Sequence, residues 1–345
     1  MTSIRELVDI GLPIIQAPMA GVQGSALAVA VSNAGGLGSL PCALLSTEDL
    51  RSELVALSSG TSQPFNVNFF CHTPPDPDPA REAAWRHALR PYYEELGIDI
   101  EAVTSGPGRT PFSHDAVDVL APFKPPIVSF HFGLPCDDLL QRVRAWGATI
   151  LSSATTVDEA RWLEAHGVDA VIAQGLEAGG HRGMFLSDDL TTQVGTLALV
   201  PQIVHAIDVP VIAAGGIADV AGVAAVMTLG AVAVQIGTSY LLCPEATTSA
   251  VHRAALSSPA ARHTAVTNVF TGRPARAIVN RIMREMGPLS VIAPRFPLAS
   301  AAMVPLRAVA ETRGSDHFSP LWSGENATGC KVMPAADLTR TLGDR

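Results

Sequence analysis

The run Val211-Ile212-Ala213-Ala214-Gly215-Gly216-Ile217, a helical segment from Asp219 to Leu229, and then Val232-Ala233-Val234-Gln235-Ile236-Gly237-Thr238 decide the fold. Each apolar run is short, partly β-branched and closed by glycine, as a buried strand is. Asp219 is a candidate N-cap and Gly230 stands where a C-terminal glycine belongs. Strand, crossover helix and second strand make a parallel βα unit.

The same alternation reaches back to Pro13. Strands are expected at Pro13 to Ala17, Gly36 to Leu40, Phe65 to Phe70, Ile127 to Phe132, Thr149 to Ser153, Ala170 to Gln174, Val211 to Ala214 and Val232 to Ile236. Helical patterns at Thr47 to Leu57, Pro79 to Leu96, Asp137 to Trp146 and Val157 to His166 separate them, with Asp137 a further candidate N-cap and Gly147 and Gly167 at C-terminal positions. Eight such strands can close and remove every sheet edge, which makes a (β/α)8 barrel the expected fold. An open doubly wound sheet is the alternative, but its usual G-x-G-x-x-G is missing: the first strand runs into Gln16-Ala17-Pro18-Met19-Ala20-Gly21. From about Pro244 the strand signal fades. Residues 1–243 are therefore expected to form the barrel, and 244–345 a smaller, mainly helical appendage whose last part returns to the outer ring.

Composition narrows the function. Of 345 residues, 48% are hydrophobic and 16% charged, which fits a large buried core. A net charge of −9 opposes nucleic acid and anionic membrane surfaces as partners. Val220 to Pro244 carries no charge, yet Gly222, Gly230 and Gly237 interrupt it; it reads as a buried helix followed by a buried strand rather than a membrane span. Arg5, Glu6 and Asp9 precede any apolar run, which speaks against an export signal. The five cysteines are odd in number and widely spaced, the pattern of a reducing cytoplasm.

In a barrel, ligand chemistry gathers at the C-terminal ends of the strands. There, Gly215, Gly216 and Gly237 with Thr238 offer backbone N–H groups and a hydroxyl to a phosphate; otherwise they are only tight turns. Gln174 is placed to hydrogen-bond a planar heterocycle, and Gly179-Gly180-His181 delivers an imidazole on a glycine-flanked loop. A histidine near its ordinary pKa of about 6.5 can take a proton from carbon. Asn68 and His131, at the ends of the third and fourth strands, can bind ring carbonyls or an oxyanion, or satisfy loop backbone. The other eight histidines, His72, His166, His205 and His263 among them, read as surface or capping residues. The only lysines, Lys124 and Lys331, lie away from the rims, which disfavours Schiff-base and pyridoxal chemistry. Carboxylates are nearly absent from the rims except Glu177, which disfavours a metal hydrolase. An apolar, amide-rich bowl with a phosphate grip suits flavin mononucleotide (FMN).

Five blocks together resemble the FMN-dependent nitronate monooxygenases, formerly 2-nitropropane dioxygenases: Pro13 to Met19, Phe65 to Phe69, Gln174 to His181, Ala213 to Ile217 and Gln235 to Thr238. Phe270 to Arg276 and Leu321 to Gly324 extend the similarity more thinly. The resemblance implies that Asn68, Gln174, Gly179, Gly180, Gly215, Gly216, Gln235, Ile236, Gly237 and Thr238 contact FMN, with Pro18 and Met19 against its ring. It implies His181 as catalytic base and His131 as a second active-site polar group. The implied substrate is a nitronate or nitroalkane, which reacts with O2 to give a carbonyl compound and nitrite. Where relatives supply tyrosines and a lysine from the tail, this chain has Phe296, Ser300 and Val304. An NAD(P)H-dependent reductase of quinones or enoyl thioesters, or a flavin- or phosphate-binding barrel without turnover, are the competing readings.

Overall fold

The computed structural model of the protein describes residues 4–103 and 109–344. Among these residues eleven strands occur: β1 (Ile14–Gln16), β2 (Gly38–Pro41), β3 (Phe65–Phe70), β4 (Ile127–His131), β5 (Thr149–Ala154), β6 (Ala170–Gln174), β7 (Gly180–His181), β8 (Val211–Ala214), β9 (Ala233–Ile236), β10 (Thr264–Thr267) and β11 (Ala275–Ile278). Eight of them form one parallel sheet in the order β1-β9-β8-β6-β5-β4-β3-β2. A parallel bridge from Ile15 to Leu37 joins its two ends, so the expected (β/α)8 barrel is present, and all eight expected strands belong to it.

Alternation along each strand sorts side chains between two interiors. Ile15, Ile127, Leu151, Ala170, Ile172, Ile212 and Ala233 pack with Ile4, Val8 and Ile10, so the N-terminal helix Ile4–Val8 closes one end of the barrel. Residues of opposite parity, such as Val67, Val128, Ile150, Val171 and Val234, pack against the surrounding helices. In β3 the outward Phe65, Val67 and Phe69 leave Asn66, Asn68 and Phe70 on the other face, and in β4 His131 follows Ile127 and Ser129. The strand period thus carries polar side chains toward the C-terminal mouth.

Several local expectations need correction. Cys136 rather than Asp137 is the N-cap of helix Asp137–Arg144, and it makes no side-chain cap, because Asp137 is already in helical conformation. Asp219 does cap its helix, accepting from the Gly222 N–H at 2.8 Å. That helix, Val220–Thr228, is amphipathic rather than wholly buried: Val223 and Val226 point inward while Ala221, Ala224 and Ala225 are exposed. No helix among the described residues is long and apolar enough to cross a membrane. Asn68 lies two residues before the end of β3.

The tail is not purely helical. β10 and β11 form an antiparallel hairpin, and β11 pairs with β7, setting Ala275 opposite His181 and Arg276 opposite Gly180. A second hydrophobic core joins Trp85, Leu89 and Tyr93 of helix Pro79–Leu96 to Phe270, Met303 and Phe318 of the tail, so this packing unit draws on both sides of residue 243. The last helix, Ala335–Gly343, lies on the barrel: Leu338 and Leu342 enter the main core, and Thr339 Oγ1 is 2.8 Å from Tyr240 Oη.

Candidate active site

A cavity enclosing about 1360 Å³, part of it open to solvent, occupies the C-terminal mouth. Pro18, Met19, Asn68, His131, Gln174, Gly179, Gly180, His181, Gly215, Gly216, Gln235, Ile236, Gly237 and Thr238 all line it. Sequence positions scattered over six strands thus converge on one space. Missing from the sequence reading are Arg109, Ser153, His252, Trp322, Gly324 and Asn326, which line it as well. Trp322 and Gly324 had a signal in the Leu321 to Gly324 block; Arg109 had none, because it belongs to no strand rim and no motif.

Below Pro18 and Met19, buried Gln16 donates to Gln23 Oε1 at 2.7 Å, and Gln23 Oε1 also accepts from the Met19 N–H at 3.2 Å. This amide pair fixes the turn after β1. Asn68 donates to Ser129 Oγ at 2.9 Å, which holds its side chain across to β4.

The segment after β6 is pinned rather than loose. Gln174 Nε2 donates to the His181 carbonyl at 3.0 Å, and Gln174 Oε1 accepts from the Gly183 N–H at 2.7 Å. Both ends of the amide expected to face a heterocycle are therefore engaged with the loop. Arg182 is fully buried and donates to the carbonyls of Gln174 and Gly175 and to Gln193 Oε1. Such a guanidinium is retained in an interior only when its donors are satisfied.

His181 Nε2 lies 2.9 Å from Thr271 Oγ1. Its ring is surrounded by Phe70, Phe132, Phe296 and Trp322, with centroids 5.3 to 6.1 Å away. Burial, and then the nearby Arg109, His131, Arg273 and His72, hold its pKa well below the ordinary value. His131 is pushed down to about 3, mainly by burial. Because a carbonyl only accepts, the contact of His131 Nε2 with the His181 carbonyl at 3.2 Å places the proton on Nε2, and Nδ1 then accepts from Ser153 Oγ at 3.0 Å. The expectation of a histidine near pKa 6.5 is thus corrected by burial among cations. Two histidines taken for surface residues are also buried: His72 packs against Phe296 and Phe132, and His252 meets the Trp322 carbonyl at 3.1 Å.

Where a phosphate was expected, Gly215 and Gly216 have φ of 121° and 72°, a backbone that side-chain-bearing residues rarely adopt. The tail closes over this turn, with Asn326 Nδ2 donating to the Gly216 carbonyl at 3.0 Å and the Gly324 N–H donating to Thr238 Oγ1 at 2.9 Å. Glu177 faces away from any ligand role: its carboxylate accepts from the Thr196 N–H and hydroxyl at 2.8 Å. Among the described residues the lining contains neither a carboxylate nor a lysine. Neutral amides, an apolar slot beside Pro18 and Met19, and a glycine turn free of acidic lining fit a flavin nucleotide.

A barrel with this carboxylate-free, amide-lined mouth fits the flavin-dependent oxidoreductases. Residues 2–344 match the nitronate monooxygenase family. The chain is 43% identical to a nitronate monooxygenase of Pseudomonas aeruginosa, across 97% of this chain and 96% of that protein. Identity to a nitronate monooxygenase of Paraburkholderia phytofirmans is 42%, across 99% and 93%. Among solved structures, a nitroalkane oxidase from Streptomyces ansochromogenes superimposes with a TM-score of 0.90 at 38% identity, covering 99% of this chain and 96% of that one. FabK from Thermotoga maritima does so with a TM-score of 0.74 at 28% identity, covering 99% and 95%. The chain belongs to the nitronate monooxygenase family.

Proposed function

We propose that the protein binds FMN in this cavity and oxidises alkyl nitronates, two nitronates and one O2 giving two carbonyl compounds and two nitrites. The observation that carries the reading is His181, half-buried in an aromatic enclosure beside a lining that holds no carboxylate among the described residues. FMN, when bound, supplies the electron acceptor that takes electrons from the substrate and passes them to O2.

The protein's own residues bind and orient the substrate. The neutral amides of the Gly215–Gly216 and Gly237–Thr238 turns would hold the phosphate, and Pro18 and Met19 would lie against the ring. Phe70, Phe132, Phe296 and Trp322 exclude water around the reacting carbon. His181 enters neutral, so Nε2 can accept a proton from a nitroalkane or, with the proton on it, donate to a nitronate oxygen. His131 is a positioning residue: both its ring nitrogens are engaged, and it fixes the His181 peptide group. We place the protein in the cytoplasm, in keeping with five free thiols.

Purified protein is expected to be yellow and, mixed with ethyl nitronate, to consume O2 while releasing nitrite. Colourless, folded protein that refuses added FMN would remove the reading. Rapid anaerobic bleaching by NADH or NADPH, with no nitronate turnover, would replace it with the reductase activity.

A further inference from the structure

Arg109 is the one arginine or lysine that lines the cavity among the described residues. It also lines a second cleft of about 720 Å³ between barrel and appendage, which adjoins the first at Ala20, Val22, His252 and Trp322. The guanidinium lies over Phe296, 5.2 Å from the ring centroid, and that ring also meets His72 at 4.8 Å and His181 at 5.4 Å. Arg109 Nη1 is shut off from solvent and has no hydrogen-bond partner. No ion pair with a carboxylate neutralises Arg109 among the described residues, and burial alone lowers its pKa.

A guanidinium nitrogen shut off from water with an unused donor is costly, and the cost is recovered when a ligand supplies the acceptor. Of the other nearby arginines, Arg307 is paired with Glu311 at 2.9 Å; Arg273 stacks on Phe132 and donates to the Met184 carbonyl, and although its Nε is also without a partner, it does not line the cavity. The tail positions Phe296, Ser300 and Val304 contribute no charge. The positive charge at the site therefore comes from the excursion after β3.

We propose that Arg109 binds the anionic oxygens of the substrate at the junction of the two clefts, so that the site selects nitronate anions over neutral nitroalkanes. The inference rests on the functional reading above and adds to it the charge of the substrate and the residue that recognises it. A guanidinium presents two parallel N–H donors to a two-oxygen anion, a match that a neutral nitro group uses far less well.

Arg109→Met and Arg109→Lys, made in the FMN-loaded protein, test it. Arg109→Met is expected to raise the KM for ethyl nitronate about 10- to 100-fold and the KM for neutral nitroethane by less than about threefold, whereas kcat for nitroethane falls because its deprotonation builds the same anion beside Arg109. Arg109→Lys should recover part of the loss. Two readouts need no turnover. Nitrite, titrated against the flavin absorbance, should bind more weakly to Arg109→Met by a similar factor. The His181 pKa, followed by NMR, should rise in that variant, because Arg109 is one of four groups facing it, with His131, Arg273 and His72, and removing a cation favours the imidazolium. Equal rises in KM for nitronate and nitroethane, or unchanged nitrite affinity, would overturn the assignment. A wild-type protein without nitronate turnover would remove the functional reading, while nitrite affinity would still decide for or against Arg109.

Discussion

His181 is held neutral by its surroundings, and its pH behaviour follows. Burial and neighbouring cations disfavour the imidazolium, so the acid limb of activity should lie well below 6.5 and the rate should be flat from about pH 6.5 to 8. A bell centred near 6.5 would show that bound FMN or substrate reverses this environment. Replacing His181 by Asn keeps a polar group of similar reach but removes the proton acceptor. That variant should retain FMN yet lose about 100-fold or more in turnover of nitroethane. Undiminished nitroethane turnover would exclude His181 as the base. The sequence singled out His181 because it stands among glycines at a strand end. It gave no hint of the lowered pKa, which arises first from burial and then from Arg109, His131, Arg273 and His72 on other parts of the chain.

The segment from β6 to β7 shows how an element is shaped by what it meets. Gln174 and Arg182 tie its backbone inward, and β11 pairs with it from the tail. Replacing Arg182 by Met keeps the volume but takes the side-chain donors from the Gln174 carbonyl and Gln193 Oε1, and leaves the Gly175 carbonyl with only the Ala178 N–H. Chemical denaturation should show a loss of about 3–5 kcal/mol, and Lys should not restore it, since one ammonium cannot reproduce the fork. The turn after β8 can be tested separately. A Cβ at Gly215 would stand 2.8 Å from Thr196 Oγ1 on a backbone of positive φ, so Gly215→Val should weaken FMN binding, measured by flavin release on dilution, more than it lowers the yield of folded protein. The barrel strands were legible because their apolar runs are bounded by glycines. β10 (Thr-Ala-Val-Thr) and β11 (Ala-Arg-Ala-Ile) were not, since neither alternates cleanly and their pairing is completed only by β7, far earlier in the chain.

Two cores and a ring of buried imidazoles set the behaviour of the molecule as a whole. The closing helix buries Leu338 in the main core, and Leu338→Ala should cost about 2–5 kcal/mol in unfolding free energy. Acidification should be costly too. An unfolded chain takes up histidine protons as pH falls through about 6.5, whereas folded His72 and His252 refuse them until about 4 and His131 until about 3. The unfolded state therefore binds more protons in that window, and stability falls as pH drops. Each such histidine contributes a slope of about 1.4 kcal/mol per pH unit. The apparent Tm should decline steeply from pH 6.5 to 4.5, and His72→Phe, which keeps a ring against Phe296, should decline less steeply. Equal slopes would mean that His72 titrates alike in both states.

Strand periodicity, glycine-closed turns and the near absence of lysine and of rim carboxylates are local or compositional properties, and they determined the barrel, its eight strands and the residues that gather at its mouth. Arg109, the burial of His72 and His252, the tail hairpin and the orientation of His131 depend on contacts between segments remote in the chain. Only the folded protein decides them, because desolvation, charge proximity and strand pairing are fixed by distances in space that no run of neighbouring residues encodes.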